Sequence, residues 1–243
     1  MQWMDAVLQE QYDTVAVLKQ NEQKTIVHLR HKQLQKDLVL RTFHGSGEAY
    51  SRLLHISHPH VLRVFEVLEE QGACTVLEEY VAGSTLAKRL ETKLYSAKEA
   101  CRVGRELCRA LATIHAHGVV HRDVKPENVM LRPDGSAVLT DFDAARVVKP
   151  RQSADTEVLG TAGYAAPEQF GLAQSDGRTD IFAMGVLLNV MVTGDHPSHR
   201  KADGRLGRVV DRCVQTDPEK RYQTAEQLYR ALGGHGKITD PQT

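Results

Sequence analysis

The residues best suited to carry out chemistry lie in HRDVKPEN, residues 121–128, and in DFD, residues 141–143. Asp123 can accept a proton or a hydrogen bond from a hydroxyl group. Lys125 can stabilise negative charge, and the side-chain oxygens of Asn128 and Asp141 are ligands that a hard divalent cation prefers. A surface turn has no need for this combination, which therefore favours a reaction centre.

The order of these motifs resembles that of the eukaryotic-type Ser/Thr protein kinases, in which an H-R-D catalytic loop is followed by D-F-G. The resemblance extends from about Tyr12 to about Leu232, and the segment AAPEQF is similar to that of small bacterial members. It implies an ATP- and Mg²⁺-dependent enzyme that transfers the γ-phosphoryl group to Ser or Thr hydroxyls of a protein substrate.

The same resemblance implies an α+β fold with two lobes. A kinase domain is expected over residues 1–232, with a β-rich N-lobe over about 12–80 and a helical C-lobe over about 81–232. A flexible tail is expected over 233–243 because its sequence is rich in glycine and polar residues.

The resemblance also implies roles for the residues of the reaction centre. Asp123 would orient the acceptor hydroxyl, and Lys125 would stabilise charge on the transferred phosphate. Asn128 and Asp141 would hold Mg²⁺. Thr161 stands where similar kinases have a hydroxyl bonded to the catalytic Asp and Lys.

Other C-lobe residues are expected to act on structure or regulation. By resemblance, Asp180 would hold the backbone of the catalytic loop, and Arg221 would pair with Glu168 of the A-P-E motif. Ser153 and Thr156 are either phosphorylation sites or ordinary loop hydroxyls.

The expected glycine-rich loop contains no glycine. Leu18 and Ile26 correspond to its ends, and Lys19, Asn21 and Lys24 stand at the glycine positions. Glycines let backbone N–H groups close over phosphates. Either the lysines supply positive charge instead, or the segment is a plain β-hairpin.

Arg41 stands where the family has the phosphate-binding lysine. A guanidinium can bind phosphate oxygens through two hydrogen bonds, although Arg41 could instead be an ordinary strand residue that reaches solvent. Glu48 is its expected helix partner by resemblance. Glu78 would occupy the wall of the adenine pocket, where a buried carboxylate needs a partner, so Arg41 is expected to pair with Glu78 as well.

The segment EYV resembles the hinge between kinase lobes. In this alignment the backbone of Glu79 and Val81 would bind adenine. A register shifted by one residue would place Leu77 rather than Glu78 at the pocket wall.

Several elements must position these residues. They are, in order, three antiparallel strands within 12–43, a helix, loop and strand within 47–70, a strand in 74–79, a helix over 97–118, a hairpin over 129–140, an apolar helix over 181–192 and a final helix within 217–232. The short polar stretch from Thr193 to Arg208 predicts a reduced substrate-side region.

The composition excludes several classes of protein. Lys plus Arg and Asp plus Glu both number 31, so the zero net charge argues against nucleic acid as a partner. The sequence has no apolar run of about 18 residues, so no membrane-spanning helix is expected, and the N-terminus does not resemble a secretion signal. The four cysteines form no C-x-x-C pair, which favours a reducing cytoplasm. Nothing in the sequence assigns an oligomeric state.

Two other functions are compatible with parts of the sequence. The glycine-free loop, Arg41, Glu78 and Asp143, which replaces the glycine of D-F-G, favour a pseudokinase that acts as a nucleotide- or partner-binding scaffold. The complete set of catalytic-loop residues argues against that scaffold. A small-molecule phosphotransferase is disfavoured by Thr161 and the A-P-E motif, which serve peptide docking in the family.

Overall fold

A computed structural model describes residues 10–70, 72–148, 163–170 and 175–238. The chain divides into two compact units. We call Met1–Ile56 with Leu62–Val81 the sheet unit, and Ser57–Val61 with Ala82–Thr243 the helical unit.

The sheet unit is built on one five-stranded antiparallel sheet with the order β1-β2-β3-β5-β4. Its strands are β1 (Tyr12–Gln20), β2 (Lys24–His31), β3 (Asp37–His44), β4 (Val64–Glu70) and β5 (Ala73–Glu79). The three strands predicted within residues 12–43 are therefore confirmed. Among the described residues of the unit, the short helix α1 (Glu48–Leu53) lies between β3 and β4.

Side chains alternate between the faces of the sheet, as the period of a β-strand requires. On β3 the buried positions are Val39, Arg41 and Phe43, and on β5 they are Cys74, Val76 and Glu78. This alternation places Arg41 and Glu78 on the same buried face, whereas Leu77 points to the other one.

The helical unit contains five helices among the described residues. They are α2 (Leu86–Leu90), α3 (Ala97–Ala116), α4 (Gly177–Thr193), α5 (Gly204–Cys213) and α6 (Ala225–Ala231). Five short strands accompany them, namely β6 (Ser84–Thr85), β7 (Val119–Val120), β8 (Val129–Leu131), β9 (Ala137–Leu139) and β10 (Arg146–Val147). The sheet-rich and helical parts together confirm the α+β fold.

The sequence signals explain where the long helices begin and end. Ser96 and Glu99 form a reciprocal capping box at the start of α3, and Gly118 lies just beyond its end with a left-handed φ of 73°. Helix α4 is buried along most of its length and ends at Gly194, which also has a positive φ. The predicted helices over 97–118 and 181–192 are confirmed.

Helix α5 is an element that the sequence patterns did not predict. It begins at Gly204, inside the stretch that was expected to be short and polar. The residues before it are held by Asn189 of α4, whose Nδ2 donates to the carbonyls of Asp195 and Arg200 at 2.8 and 2.7 Å. Asn189 Oδ1 accepts from the amide of Ala202 at 2.8 Å.

Among the helices of the described residues, none is both long enough and apolar enough to cross a membrane. All four cysteines are free thiols, and Cys74, Cys108 and Cys213 are buried.

Candidate active site

The backbone of the catalytic loop is held by the buried side chain of Asp180. Its two carboxylate oxygens accept hydrogen bonds from the amides of His121 and Arg122 at 2.9 and 2.8 Å. His115 of α3 adds a third contact, with Nε2 at 2.7 Å from Asp180 Oδ2. These bonds stabilise Arg122 in a left-handed conformation with φ of 66°, which an unsupported non-glycine residue rarely adopts.

Asp180 remains charged although it is fully buried. Burial by itself would raise the pKa of this carboxyl, but the contacts with His115 and with His121 hold the pKa below its ordinary value. A buried carboxylate anion is therefore available as a fixed acceptor for the loop amides.

Asp123 lies between a cation and an amide. Lys125 Nζ is 2.6 Å from Asp123 Oδ2, and Asn128 Nδ2 donates to the same oxygen at 2.8 Å. The Asn128 amide also donates to the backbone carbonyl of Asp123 at 2.9 Å. Three of the predicted site residues are thus brought together within hydrogen-bonding distance.

A hairpin connects this cluster to Asp141. Strands β8 and β9 pair through Val129–Leu139, and the amide of Thr140 donates to the carbonyl of Asn128 at 2.9 Å. His121 Nε2 lies 3.1 Å from the Thr140 carbonyl. Asp141 directly follows Thr140 and has a left-handed φ of 61°, so the hairpin returns it to the catalytic loop.

The donor set fits a hard divalent cation. Both hydrogen bonds of the Asn128 amide nitrogen go to Asp123, which leaves the amide oxygen as the atom of this side chain that a cation would take. The Asp141 carboxylate offers oxygen donors of the kind that Mg²⁺ also prefers. Asp123, hydrogen-bonded to Asn128, can accept a hydrogen bond from a hydroxyl.

The A-P-E motif is anchored by a buried ion pair. Arg221 Nη1 and Nη2 donate to Glu168 Oε1 and Oε2 at 2.7 and 2.9 Å. Arg221 makes three further bonds to the carbonyls of Gln215, Arg178 and Thr216, so each of its five N–H groups has an acceptor. This pair joins the segment 166–170 to the loop before α6.

In the sheet unit, Arg41 pairs with Glu78, as predicted. The two side chains are 5% and 3% exposed at the residue level, and Arg41 Nη2 donates to Glu78 Oε1 at 3.1 Å. Arg41 Nε lies 3.3 and 3.4 Å from the two carboxylate oxygens. The interpretation of Arg41 as a residue that reaches solvent is wrong.

The glycine-free segment is a tight hairpin between β1 and β2. Asn21 Oδ1 accepts from the amides of Gln23 and Lys24 at 3.0 and 2.8 Å, and the Asn21 amide donates to the Lys24 carbonyl. Leu18 lies on β1 and is half exposed, and Ile26 of β2 is paired with Lys19 of β1. An asparagine turn thus closes this hairpin without glycine.

Three other predicted residues lie elsewhere in the sheet unit. Glu48 is the exposed first residue of α1. Glu79 ends β5, and its amide donates to the carbonyl of Arg63 at 2.9 Å. Val81 is buried and is the last residue of the unit.

Comparison with known proteins identifies the family. The protein kinase domain model matches residues 11–228. This chain belongs to the protein kinase family.

The kinase domain is similar to bacterial relatives. A Clostridium perfringens protein named as a probable serine/threonine-protein kinase is 29% identical over 78% of this chain and 31% of its own length. The serine/threonine-protein kinase PknB of Mycobacterium tuberculosis is 29% identical over 71% of this chain and 33% of its own. The serine/threonine-protein kinase PkaA of Streptomyces coelicolor is 32% identical over 75% of this chain and 38% of its own length. The chain spans about a third of the length of these relatives.

Two further residues of this kinase domain support the catalytic loop, although the sequence analysis assigned no role to them. Gln169 Nε2 donates to the Arg122 carbonyl at 2.9 Å, and its Oε1 accepts from the amide of Ala166 at 3.0 Å. His115 contacts Asp180. Gln169 directly follows the A-P-E motif, and this position is the sequence signal that could have indicated its role.

The predicted residues Thr161, Ser153 and Thr156 lie outside the described residues, as do residues 239–243 of the predicted tail. Asp143 is half-buried. At the start of the tail, the Gly234 amide donates to the Tyr229 carbonyl at 2.9 Å.

Proposed function

We propose that this chain is the catalytic domain of an ATP- and Mg²⁺-dependent kinase that phosphorylates Ser or Thr hydroxyls of a protein substrate. The domain boundaries proposed are residues 1–232. The observation that carries this proposal is the position of the Asp123 carboxylate between Lys125 Nζ at 2.6 Å and Asn128 Nδ2 at 2.8 Å.

In this proposal Asp123 orients the acceptor oxygen and accepts its hydrogen bond, so that the hydroxyl faces the γ-phosphate. Hydrogen bonding from Asn128 supports the proposal because it restrains the carboxylate rotamer before any substrate binds. Lys125 would turn from Asp123 to the transferred phosphoryl group, whose developing charge an ammonium can stabilise.

Asn128 and Asp141 are the residues that would hold Mg²⁺. Their oxygen donors support this role. The bound cation would neutralise charge on the phosphates of ATP, and the β8–β9 hairpin is the segment that connects the two ligands.

On the sheet unit, Arg41 is proposed to bind phosphate oxygens in place of the family's lysine, with Glu48 as a second partner. Leu18 and Ile26 would contact the nucleotide. Because the Glu79 amide already donates to Arg63, its carbonyl would accept from adenine, and Val81 would supply the amide. Thr161 is proposed to contact Asp123 and Lys125, while Asp180, Glu168 and Arg221 maintain the loop.

A transfer assay tests the function. The wild type, incubated with radiolabelled ATP, Mg²⁺ and a generic protein acceptor, should transfer label to serine or threonine. Asp123→Asn should reduce the rate by about 10²- to 10⁴-fold, since it removes the proton acceptor. Asp195→Asn, an exposed carboxylate of the same unit, is the matched control and should retain the wild-type rate.

Thermal shift with ATP separates loss of chemistry from loss of binding, and Asp123→Asn should keep the nucleotide-induced shift. Equal label with both proteins would contradict the role of Asp123. Absence of label from the wild type, together with a retained shift, would instead identify a nucleotide-binding scaffold.

A further inference from the structure

A second concave site lies in the helical unit, away from the catalytic loop. Its cavity has a volume of about 440 Å³. Segments of β6, α2, the start of α3 and the β8–β9 turn enclose it. We call it the basic pocket, and its charged lining residues are Arg89, Lys93, Glu99, Arg102 and Arg132.

The lining of the basic pocket carries more positive than negative charge. Four of the side chains that line it are cations, whereas Glu99 is the one carboxylate among its lining residues. This local excess contrasts with the zero net charge of the whole chain. Low-dielectric walls strengthen the attraction of such a cluster for an anion.

Two carboxylates offset part of this charge, since Glu106 Oε1 accepts from Arg102 Nη1 at 2.7 Å and Glu99 pairs with Lys93. Four cations against two carboxylates leave a net positive charge. Glu99 also caps α3. Oε2 accepts from the hydroxyl and the amide of Ser96 at 2.7 and 2.8 Å, and Oε1 lies 3.2 Å from Lys93 Nζ. The hydrogen bonds from Ser96 lower the pKa of Glu99 to about 2. The neighbouring Asp134 is exposed, and its Oδ1 accepts from the amide and hydroxyl of Ser136.

The walls of the basic pocket are held by backbone contacts. Arg102 Nη2 donates to the carbonyl of Gly135 at 3.0 Å, and Arg132 Nη1 donates to that of Pro59 at 2.7 Å. At Gly83, φ is 144° and an added Cβ would lie 1.9 Å from the Leu131 carbonyl oxygen, so only glycine permits this close approach. These contacts fix the shape before a ligand arrives.

We propose that the basic pocket binds a peptide segment that carries a phosphoserine or phosphothreonine. Guanidinium groups bind phosphate through paired, charge-assisted hydrogen bonds, and three of the four cations are arginines. The cavity volume falls in the range of sites that hold a ligand much larger than a single phosphate, about 300–1,000 Å³. Leu131, Pro133 and Gly83 add apolar and backbone surface for residues beside the phosphate.

The position of the basic pocket separates it from the reaction centre. Asn128 immediately precedes β8, and Leu131 and Arg132 lie at the other end of that strand. With a rise of about 3.3 Å per residue, four residues of strand separate Asn128 from Arg132 by about 13 Å. A phosphorylated segment in the basic pocket would therefore bind at a site distinct from Asp123, and the binding requires no catalytic turnover.

Fluorescence anisotropy of a labelled peptide tests this site. The probe has a single phosphoserine flanked by alanine and glycine, and the comparison peptide has serine in its place. The wild type should bind the phosphopeptide at least about tenfold more tightly, because only this peptide offers the dianion. The affinity should fall as salt is raised.

The double variant Arg89→Gln/Lys93→Gln removes two exposed cations of the basic pocket. It should weaken phosphopeptide binding by about tenfold or more. The control Lys88→Gln/Lys98→Gln removes two exposed lysines close by in sequence that do not line the cavity, and it should bind like the wild type.

Four outcomes would overturn the proposal. They are equal affinity for the two peptides, unchanged binding in the Arg89/Lys93 variant, equal loss in the control, or inorganic phosphate competing as strongly as the phosphopeptide. Transfer to an unphosphorylated acceptor should be the same in the wild type and the Arg89/Lys93 variant. That readout keeps failure of this site distinct from failure of the proposed catalytic function.

Discussion

Each unit buries an arginine–glutamate pair, and the two pairs are held differently. In the helical unit Arg221 reaches Glu168 through two short bonds of 2.7 and 2.9 Å and donates its other N–H groups to backbone carbonyls. In the sheet unit the bonds from Arg41 to Glu78 measure 3.1 to 3.4 Å, at or beyond the usual range for N–H···O bonds.

The difference indicates two kinds of use. A guanidinium whose N–H groups all make short hydrogen bonds has a structural role, because another ligand could bind it only by breaking several of these bonds. A guanidinium whose bonds to a carboxylate are longer than usual can exchange that carboxylate for another anion at lower cost. We therefore assign a structural role to Arg221 and propose that Arg41 binds a phosphate group.

The largest effect is expected from breaking the helical-unit pair. Arg221→Met leaves the Glu168 carboxylate buried without its cation and should lower the free energy of unfolding by about 3–5 kcal/mol. Chemical denaturation followed by circular dichroism measures this loss. Arg230→Met, which breaks an exposed i,i+4 pair with Glu226, is the control and should cost about 0.5 kcal/mol or less. A loss below about 1 kcal/mol for Arg221→Met would remove the contrast between the two pairs.

Changes at Arg41 should act more on nucleotide binding than on stability. Arg41→Met should raise the KM for ATP by about tenfold or more, since a charge-assisted contact to phosphate is lost. Arg41→Lys should keep part of the activity, because the charge remains. Steady-state kinetics with varied ATP provide the measurement, and Arg30→Met, at an exposed pair with Asp37 in the same sheet, is the control. An unchanged KM in Arg41→Met would exclude this residue from the nucleotide site.

A smaller effect is expected at the hairpin that replaces the glycine-rich loop. Asn21→Ala removes two exposed side-chain bonds to the amides of Gln23 and Lys24 and should lower stability by about 0.5–1.5 kcal/mol. Glu22→Ala in the same turn serves as the control. Denaturation and ATP kinetics on both variants distinguish the roles, because a plain hairpin predicts a changed midpoint with an unchanged KM.

The smallest effect concerns pH and the buried His60 of the helical unit. Burial lowers the pKa of His60, whose Nδ1 lies 2.8 Å from the Ala137 carbonyl. The unfolded chain therefore binds this proton more readily, so the His60 contribution to stability is complete above about pH 6.5 and is lost as pH falls towards the lowered pKa. The free energy of unfolding, measured across pH 5–8, should depend less steeply on pH in His60→Gln than in the wild type. An identical slope in both proteins would contradict this assignment, and the exposed His55→Gln is the control.

Much of the fold follows from patterns that are local in the sequence. Short β-rich runs separated by polar turns predicted the first three strands of the sheet unit, and apolar residues at helical spacing before Gly118 predicted α3. The catalytic-loop residues were also predictable, because Asp123, Lys125 and Asn128 are close in sequence and their types suit one reaction. The buried Arg41–Glu78 pair followed from a different rule, that a carboxylate in the core needs a cation.

What only the tertiary structure decided involves residues far apart in the chain. His115 meets Asp180, Gln169 meets Arg122, and Asn189 holds the segment before α5, and in each case a buried polar group found an acceptor or donor that no spacing rule specifies. The basic pocket is of the same kind, because α2, α3 and the β8–β9 turn each contribute cations to it. Sequence periodicity determines which face of an element is buried, whereas packing determines which side chains then lie within hydrogen-bonding distance of one another.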